Sequence, residues 1–152
     1  MHEIKESIDI AAPVETVFDF VADFRNALQW MHGFNRFEPI TSQTRGTGAK
    51  VRASGRIGGI PISTELEITQ YLPNRKIVSV SNHGLKSLSA WLFEPKGTGT
   101  KVSFIGYYDL PRGPIGALMS WGFINDLLLE HTWKSLKNLK KVMESAQDQR
   151  AS

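Results

Sequence analysis

The stretch from Pro114 to Glu144 constrains this chain most. Its spacing predicts one helix of about thirty residues, opened by Pro114 after the Arg112-Gly113 loop. At about 100° per residue, Leu118, Trp121, Leu128, Leu129, Leu136, Leu139 and Met143 fall on one stripe. Asp126, Glu130, Lys134, Lys137 and Lys141 gather opposite, with Glu130 and Lys134 at i,i+4 in the favourable order. A helix apolar on one side only must lie on something. The remainder of the chain has to supply that surface.

A chain of 152 residues fits one domain, able to bury about 70% of its unfolded surface. Residues 1–146 are expected to form it, and 147–152 a flexible tail. Hydrophobic content of 41% with 22% charged excludes a disordered chain. The absence of Cys removes disulfides, thiolate metal sites and a cysteine nucleophile. The first residues carry no apolar signal region, and no apolar run approaches the ~20 residues of a membrane span, so a cytoplasmic protein without stable membrane insertion is expected. The net charge of +3 comes from scattered Lys and Arg with no basic cluster interleaved with aromatics, so no nucleic-acid partner is expected.

Glu3 to Ile10 alternates, with Ile4, Ile8 and Ile10 on one parity, and predicts a strand. Pro13 then opens a helix whose Val14, Val17, Phe18, Val21 and Phe24 follow i, i+3, i+4, i+7. A second short helix is expected over Arg25 to Met31, closed by Gly33. From Phe34 the chain breaks into short segments. Turn clusters at 45–48, Gly58-Gly59, Pro73-Asn74-Arg75, Asn82-His83-Gly84 and 94–99 separate them. Val51/Ala53, Ile62/Leu66/Ile68 and Val102/Phe104/Tyr108 alternate against charged neighbours. That is an antiparallel meander with one apolar face. The order strand, two helices, six strands, long helix makes an α+β domain.

At this point Ile8-x-Ile10-x-Ala12-Pro13-x-Glu15-x-Val17-Phe18 and Trp30 stand beside Gly46-x-Gly48, Gly58-Gly59 and Tyr71-x-Pro73-x-Arg75. Trp91-x-Phe93-x-Pro95, Gly99-Thr100-Lys101-Val102 and Ser135-Leu136-x-Asn138-Leu139-Lys140 continue the series, with Glu144 after it. Together they resemble the START-like, or Bet v 1-like, superfamily of helix-grip proteins, the SRPBCC group of polyketide cyclases/dehydrases and lipid transporters. The resemblance covers essentially the whole chain. It implies a curved seven-stranded antiparallel sheet wrapped around the C-terminal helix, two short helices after the first strand, and a cavity between sheet and helix. Members carry lipids, sterols or hormones, bind quinones, or act as aromatase/cyclases, so the resemblance implies a cavity more strongly than a reaction.

Asn125 and Thr132 interrupt the apolar stripe one turn either side of Leu128 and Leu129. A buried amide or hydroxyl without a partner costs about 1–3 kcal/mol, so each must meet backbone, water or ligand. With Leu118, Trp121, Leu128 and Leu129 they are the expected helix side of a ligand site. Trp30, Phe34, Leu66, Trp91, Phe104 and Tyr108 are its expected remainder. Tyr107 and Tyr108 point to opposite faces, and parity turns Tyr108 inward. His32 follows the second short helix at what the resemblance implies is the cavity mouth. A lone loop histidine is the plainer account of it, and His131 is expected on the solvent side of the long helix. His2, His32, His83 and His131 show no ligand spacing, so no metal or cofactor is expected. No Gly-x-Ser-x-Gly elbow and no phosphate-binding glycine loop occurs.

These residues favour a carrier or sensor, monomeric or homodimeric, for a hydrophobic lipid-, quinone- or polyketide-like molecule. The alternative is an enzyme of the polyketide cyclase/dehydratase type, which could act by holding a flexible substrate in a reactive fold. A third class is a protein-interaction module with a vestigial cavity, which a volume too small for a drug-sized ligand would favour.

Overall fold

The computed structural model describes residues 2–109 and the helix 121–151. Strand β1 (His2–Ile10) leads through Pro13 into α1 (Val14–Ala22), and a short 3₁₀ helix, α2 (Phe24–Gln29), follows. Six strands come next: β2 (Phe34–Pro39), β3 (Lys50–Ile57), β4 (Ile60–Leu72), β5 (Lys76–Gly84), β6 (Ser87–Lys96) and β7 (Gly99–Tyr108). Helix α3 (Trp121–Ala151) closes the chain. The strands form one antiparallel sheet in the order β1-β7-β6-β5-β4-β3-β2, so the first strand pairs with the last and the rest is a meander. This is the expected helix-grip arrangement.

Local chemistry explains most of the boundaries. Val14, Val17, Phe18 and Ala22 bury one side of α1, and Glu15 stands in its first turn against the positive end of the helix dipole. Asp23 caps α2, accepting the Arg25 N–H at 2.9 Å and pairing with the Arg25 guanidinium at 2.6 Å. That pairing holds the Asp23 carboxyl at a pKa of about 2. Gly58 and Gly59 make the two-residue β3–β4 turn with φ of 56° and 82°, a region that side chains other than Gly rarely tolerate.

The expected strand parity holds. Val51, Ala53, Ile68, Val102 and Phe104 are buried while Lys50, Arg52 and Glu67 are not. Two boundaries differ from the sequence reading. Asn82-His83-Gly84, expected as a turn, belongs to β5, where His83 and Gly84 pair with Glu65 and Thr64. The turn itself falls at Leu85-Lys86. Helix α3 runs on through Ala151, so residues 147–151 of the expected tail belong to the helix. Ser145 to Arg150 contains no Gly or Pro to stop it. The expected helix start at Pro114 lies outside the described residues.

The second half of α3 is packed tightly. Leu136, Leu139 and Met143 join Ile10, Phe18, Trp91, Phe93 and Val102 in the main hydrophobic cluster. Phe18 stands edge-on to Tyr71 and Phe93, with ring centroids 5.3 and 5.0 Å apart. Polar clamps reinforce this end. The Glu144 carboxylate accepts the Ala11 N–H at 2.8 Å, and Lys140 Nζ reaches both Glu144 and the Asp9 carbonyl. Toward its N-terminus the same helix passes over a space that side chains do not fill.

Candidate functional site: a pocket between sheet and helix

That space is a pocket of about 140 Å³. Its floor comes from alternate residues of the central strands: Ile62, Thr64, Leu66 and Ile68 of β4, Ile77 and Ser79 of β5, Ser87, Ser89 and Trp91 of β6, Phe104 and Tyr108 of β7. Phe34 and Phe37 both face it although they are three residues apart on β2. A register shift between Phe34 and Arg36 explains this, because one extra residue restores the parity. Val21, Ala22, Phe24, Ala27, Trp30 and Met31 wall one side, and Leu128, His131, Thr132 and Ser135 of α3 form the roof.

Eight expected site residues therefore meet here: Trp30, Phe34, Leu66, Trp91, Phe104, Tyr108, Leu128 and Thr132. Asn125 and Leu129 are half-buried and do not line the pocket. Leu118 lies outside the described residues, and Trp121 opens α3. The helical wheel accounts for the miss. Leu136, Leu139 and Met143 point into solid core, and Leu129 shares that side of the helix. The arc over the pocket is turned the other way, with His131 about 60° from Leu128 on the side away from Leu129.

The rotation corrects the two histidines. His131, expected in solvent, is half-buried and lines the pocket; so does His32, expected as an exposed loop residue. Their rings stand 4.8 Å apart, tilted by 56°. Burial, followed by the neighbouring His32, pushes the pKa of His131 down, while a hydrogen bond with the His32 backbone acts the other way. The His32 N–H donates to Ser135 Oγ at 2.8 Å, and Ser135 in turn donates to the His131 carbonyl at 2.9 Å. Asn138 donates to the Trp30 carbonyl at 3.1 Å. Ser135 and Asn138 thus pin the loop after α2 onto α3. Gly33 follows in that loop with φ of 88°, and a Cβ there would lie 2.5 Å from His131 Nδ1. Only Gly lets the loop approach the imidazole this closely.

The aromatic wall is continuous. Trp30 stands edge-on to Trp91 at 5.1 Å, and Trp91 leans on Phe104 at 4.5 Å. Trp30 is only 3% exposed, yet its indole Nε1–H has no hydrogen-bond partner among the described residues. Ser79 and Ser89 share one hydrogen bond at 2.8 Å, leaving one of their two hydroxyl protons for a third group. Thr64 donates to the Leu85 carbonyl. Burial alone drives the Tyr108 hydroxyl far up, so it stays protonated at any ordinary pH. No Asp, Glu, Lys or Arg is among the described residues that line the pocket. Nor do three or more His, Asp or Glu come together among the described residues in a way that could hold a metal ion. The pocket is apolar, aromatic and supplied with hydrogen-bond donors.

Sequence reasoning missed the inward serines. On β5 and β6 it is Ser79, Ser81, Ser87 and Ser89 that are buried, and Val78, Val80, Leu88 and Leu92 that are half-exposed. Their shared parity with Ile77 and Trp91 was the available signal.

Known structures share this architecture. TTHA0849 of Thermus thermophilus is 21% identical, with a TM-score of 0.84 over 95% of this chain and 99% of that one. A START superfamily protein from Mycobacterium smegmatis is 18% identical, with a TM-score of 0.77 over 96% and 99%. The Zhui aromatase/cyclase of Streptomyces sp. R1128 is 13% identical, with a TM-score of 0.77 over 94% and 93%. At these identities the likeness is one of fold. No curated protein matches in sequence. The family described as polyketide cyclase / dehydrase and lipid transport matches residues 1–144, nearly the whole length. The chain belongs to that family.

Proposed function

We propose that this protein holds a small hydrophobic molecule in the pocket under α3, as a carrier or sensor. One observation carries the reading: a buried indole N–H, on Trp30, is left without a partner among the described residues beside a largely apolar pocket. A buried unmatched donor costs about 1–3 kcal/mol, which an acceptor atom of a bound molecule would recover once the indole turns toward it. The size narrows the occupant. A volume of about 140 Å³ is below the ~300–1,000 Å³ of drug-sized sites and close to the ~150 Å³ that accepts benzene. A single ring fits; a lipid or polyketide chain needs the roof to move. So small a volume also meets the condition set for an interaction module with a vestigial cavity, and the orphan donor is what favours a ligand over it.

In this reading the protein works in the cytoplasm, as monomer or homodimer, without nucleic acid. No helix among the described residues is long and apolar enough to cross a membrane. The second reading, a cyclase or dehydratase, draws on the family and on two imidazoles at the pocket wall, the side-chain type most used for general acid–base work. Native mass spectrometry of gently purified protein, followed by organic extraction, tests the first. A stoichiometric hydrophobic adduct supports it. Protein that stays empty and binds no hydrophobic dye would overturn it.

A further inference from the structure

The charge inventory of the pocket points to a ligand class. Among the described lining residues the ionisable groups are His32, His131 and Tyr108, and Tyr108 is held neutral by burial. The only charge this lining can acquire is therefore positive, on an imidazole. The two rings are 4.8 Å apart, so a second proton would be repelled by the first. The charged groups around the pair are few. Glu130, the neighbour of His131 on α3, is exposed and bound to Lys134 at 2.7 Å. Arg56 of β3 brings its carbonyl close to Gly33, but its guanidinium donates to the Gly59 carbonyl at 2.9 Å. Glu130 attracts a proton on either histidine from outside the pocket, an attraction that Lys134 opposes at His131. Among the described residues that line the pocket there is no carboxylate, so on that side a proton on the pair gains a counter-ion only when a ligand brings one.

We propose, resting on the pocket reading above, that the pocket selects a small apolar carboxylic acid, aromatic or alicyclic. Its carboxylate sits against the His32–His131 pair, and one proton is taken up from solvent on binding. The step balances: the anionic carboxylate, one neutral imidazole and one solvent proton become a carboxylate–imidazolium ion pair, with no covalent bond formed or broken between protein and ligand. The ring would lie on the Trp30–Trp91–Phe104 wall. A cationic ligand would meet no opposite charge, and a neutral one would gain only the donors.

Three probes of one size test this by quenching of the pocket tryptophans: p-toluic acid, p-toluamide and p-methylbenzylamine. From about pH 6 to pH 8 the acid stays ionised while the proton that must be taken up with it becomes scarcer, so its affinity should fall by up to tenfold per unit. Amide binding should be flat with pH, and the amine should bind weakest. Calorimetry in two buffers of different ionisation enthalpy should count close to one proton taken up with the acid. In His131→Gln and His32→Gln the preference for acid over amide should drop tenfold or more. In His131→Lys the acid should still bind, with less proton uptake. A pH-independent affinity for the acid, or a preference unchanged in both Gln variants, would overturn the inference and leave the pocket reading standing. Failure of all three probes to bind would overturn both.

Discussion

Replacing Leu128 by Trp tests the pocket at its roof. Leu128 is 6% exposed and faces a space of about 140 Å³. If that space is real, the larger side chain enters it without displacing neighbours. An indole buries on the order of 200 Å², roughly a quarter of it beyond what the isobutyl group already covers; at ~25 cal/mol per Å² that adds about 1 kcal/mol. For a domain of this size 1 kcal/mol corresponds to roughly 2–4 °C in Tm, so the variant should melt that much higher or no lower than the parent. If Leu128 were instead embedded in solid core, overpacking would cost about 1–3 kcal/mol and Tm would fall by a comparable amount. The two cases differ in sign. Thermal unfolding followed by circular dichroism measures the shift, and titration of an environment-sensitive hydrophobic dye measures the capacity of the pocket. A rise in Tm with loss of dye binding is expected. A fall in Tm with dye binding intact would refute the placement of Leu128 over an open space.

Two further substitutions and a pH change probe what surrounds the pocket. Asp23 has its pKa lowered to about 2 by the Arg25 hydrogen bonds, so its contribution is complete above the ordinary carboxylate pKa and is lost as pH falls through about 2. Acid titration should remove up to about 2 kcal/mol between about pH 4 and pH 2, and Asp23→Asn should flatten that part of the stability curve. A Cβ on Gly106 would stand 2.7 Å from the Tyr108 ring and 2.8 Å from that of Phe104. Gly106→Ala should push both rings into the pocket, costing about 1 kcal/mol in chemical denaturation while dye affinity falls; unchanged dye binding would show that the rings have other room.

Much of the architecture was legible because period and punctuation agreed. Ile62, Leu66 and Ile68 alternate cleanly, and the glycines at 58 and 59 mark a two-residue turn that the backbone angles require. Asn82-His83-Gly84 misled because its residue types favour turns, whereas pairing with β4 drew it into the sheet. Gly84 is needed there for a different reason: a Cβ would collide with the Ser63 carbonyl oxygen. The roof of the pocket was misplaced by a related error. Hydrophobic periodicity finds the face that is packed, and an unfilled pocket has less need of aliphatic side chains than a core does. Leu128, His131, Thr132 and Ser135 do follow i, i+3, i+4, i+7, but their mixed polarity hides the pattern from any scale of hydropathy. The His32–His131 contact joins segments about a hundred positions apart, and no local spacing encodes it.

The uneven anchorage of α3 has a consequence for its motions. From Leu136 to Glu144 the helix is held by buried leucines, Met143 and the Glu144 and Lys140 clamps, while nearer its start only Leu128 and Ser135 of the described residues are buried and Phe123 and Trp133 stand exposed. One continuous ladder of backbone hydrogen bonds then spans two levels of local stability. Amide protons between 136 and 144 should exchange with solvent only in step with global unfolding, and those between 124 and 132 should exchange earlier, through partial openings that spare the rest of the sheet. Such openings lift the roof while the clamp holds, and a molecule too large for the closed volume could enter without the domain coming apart.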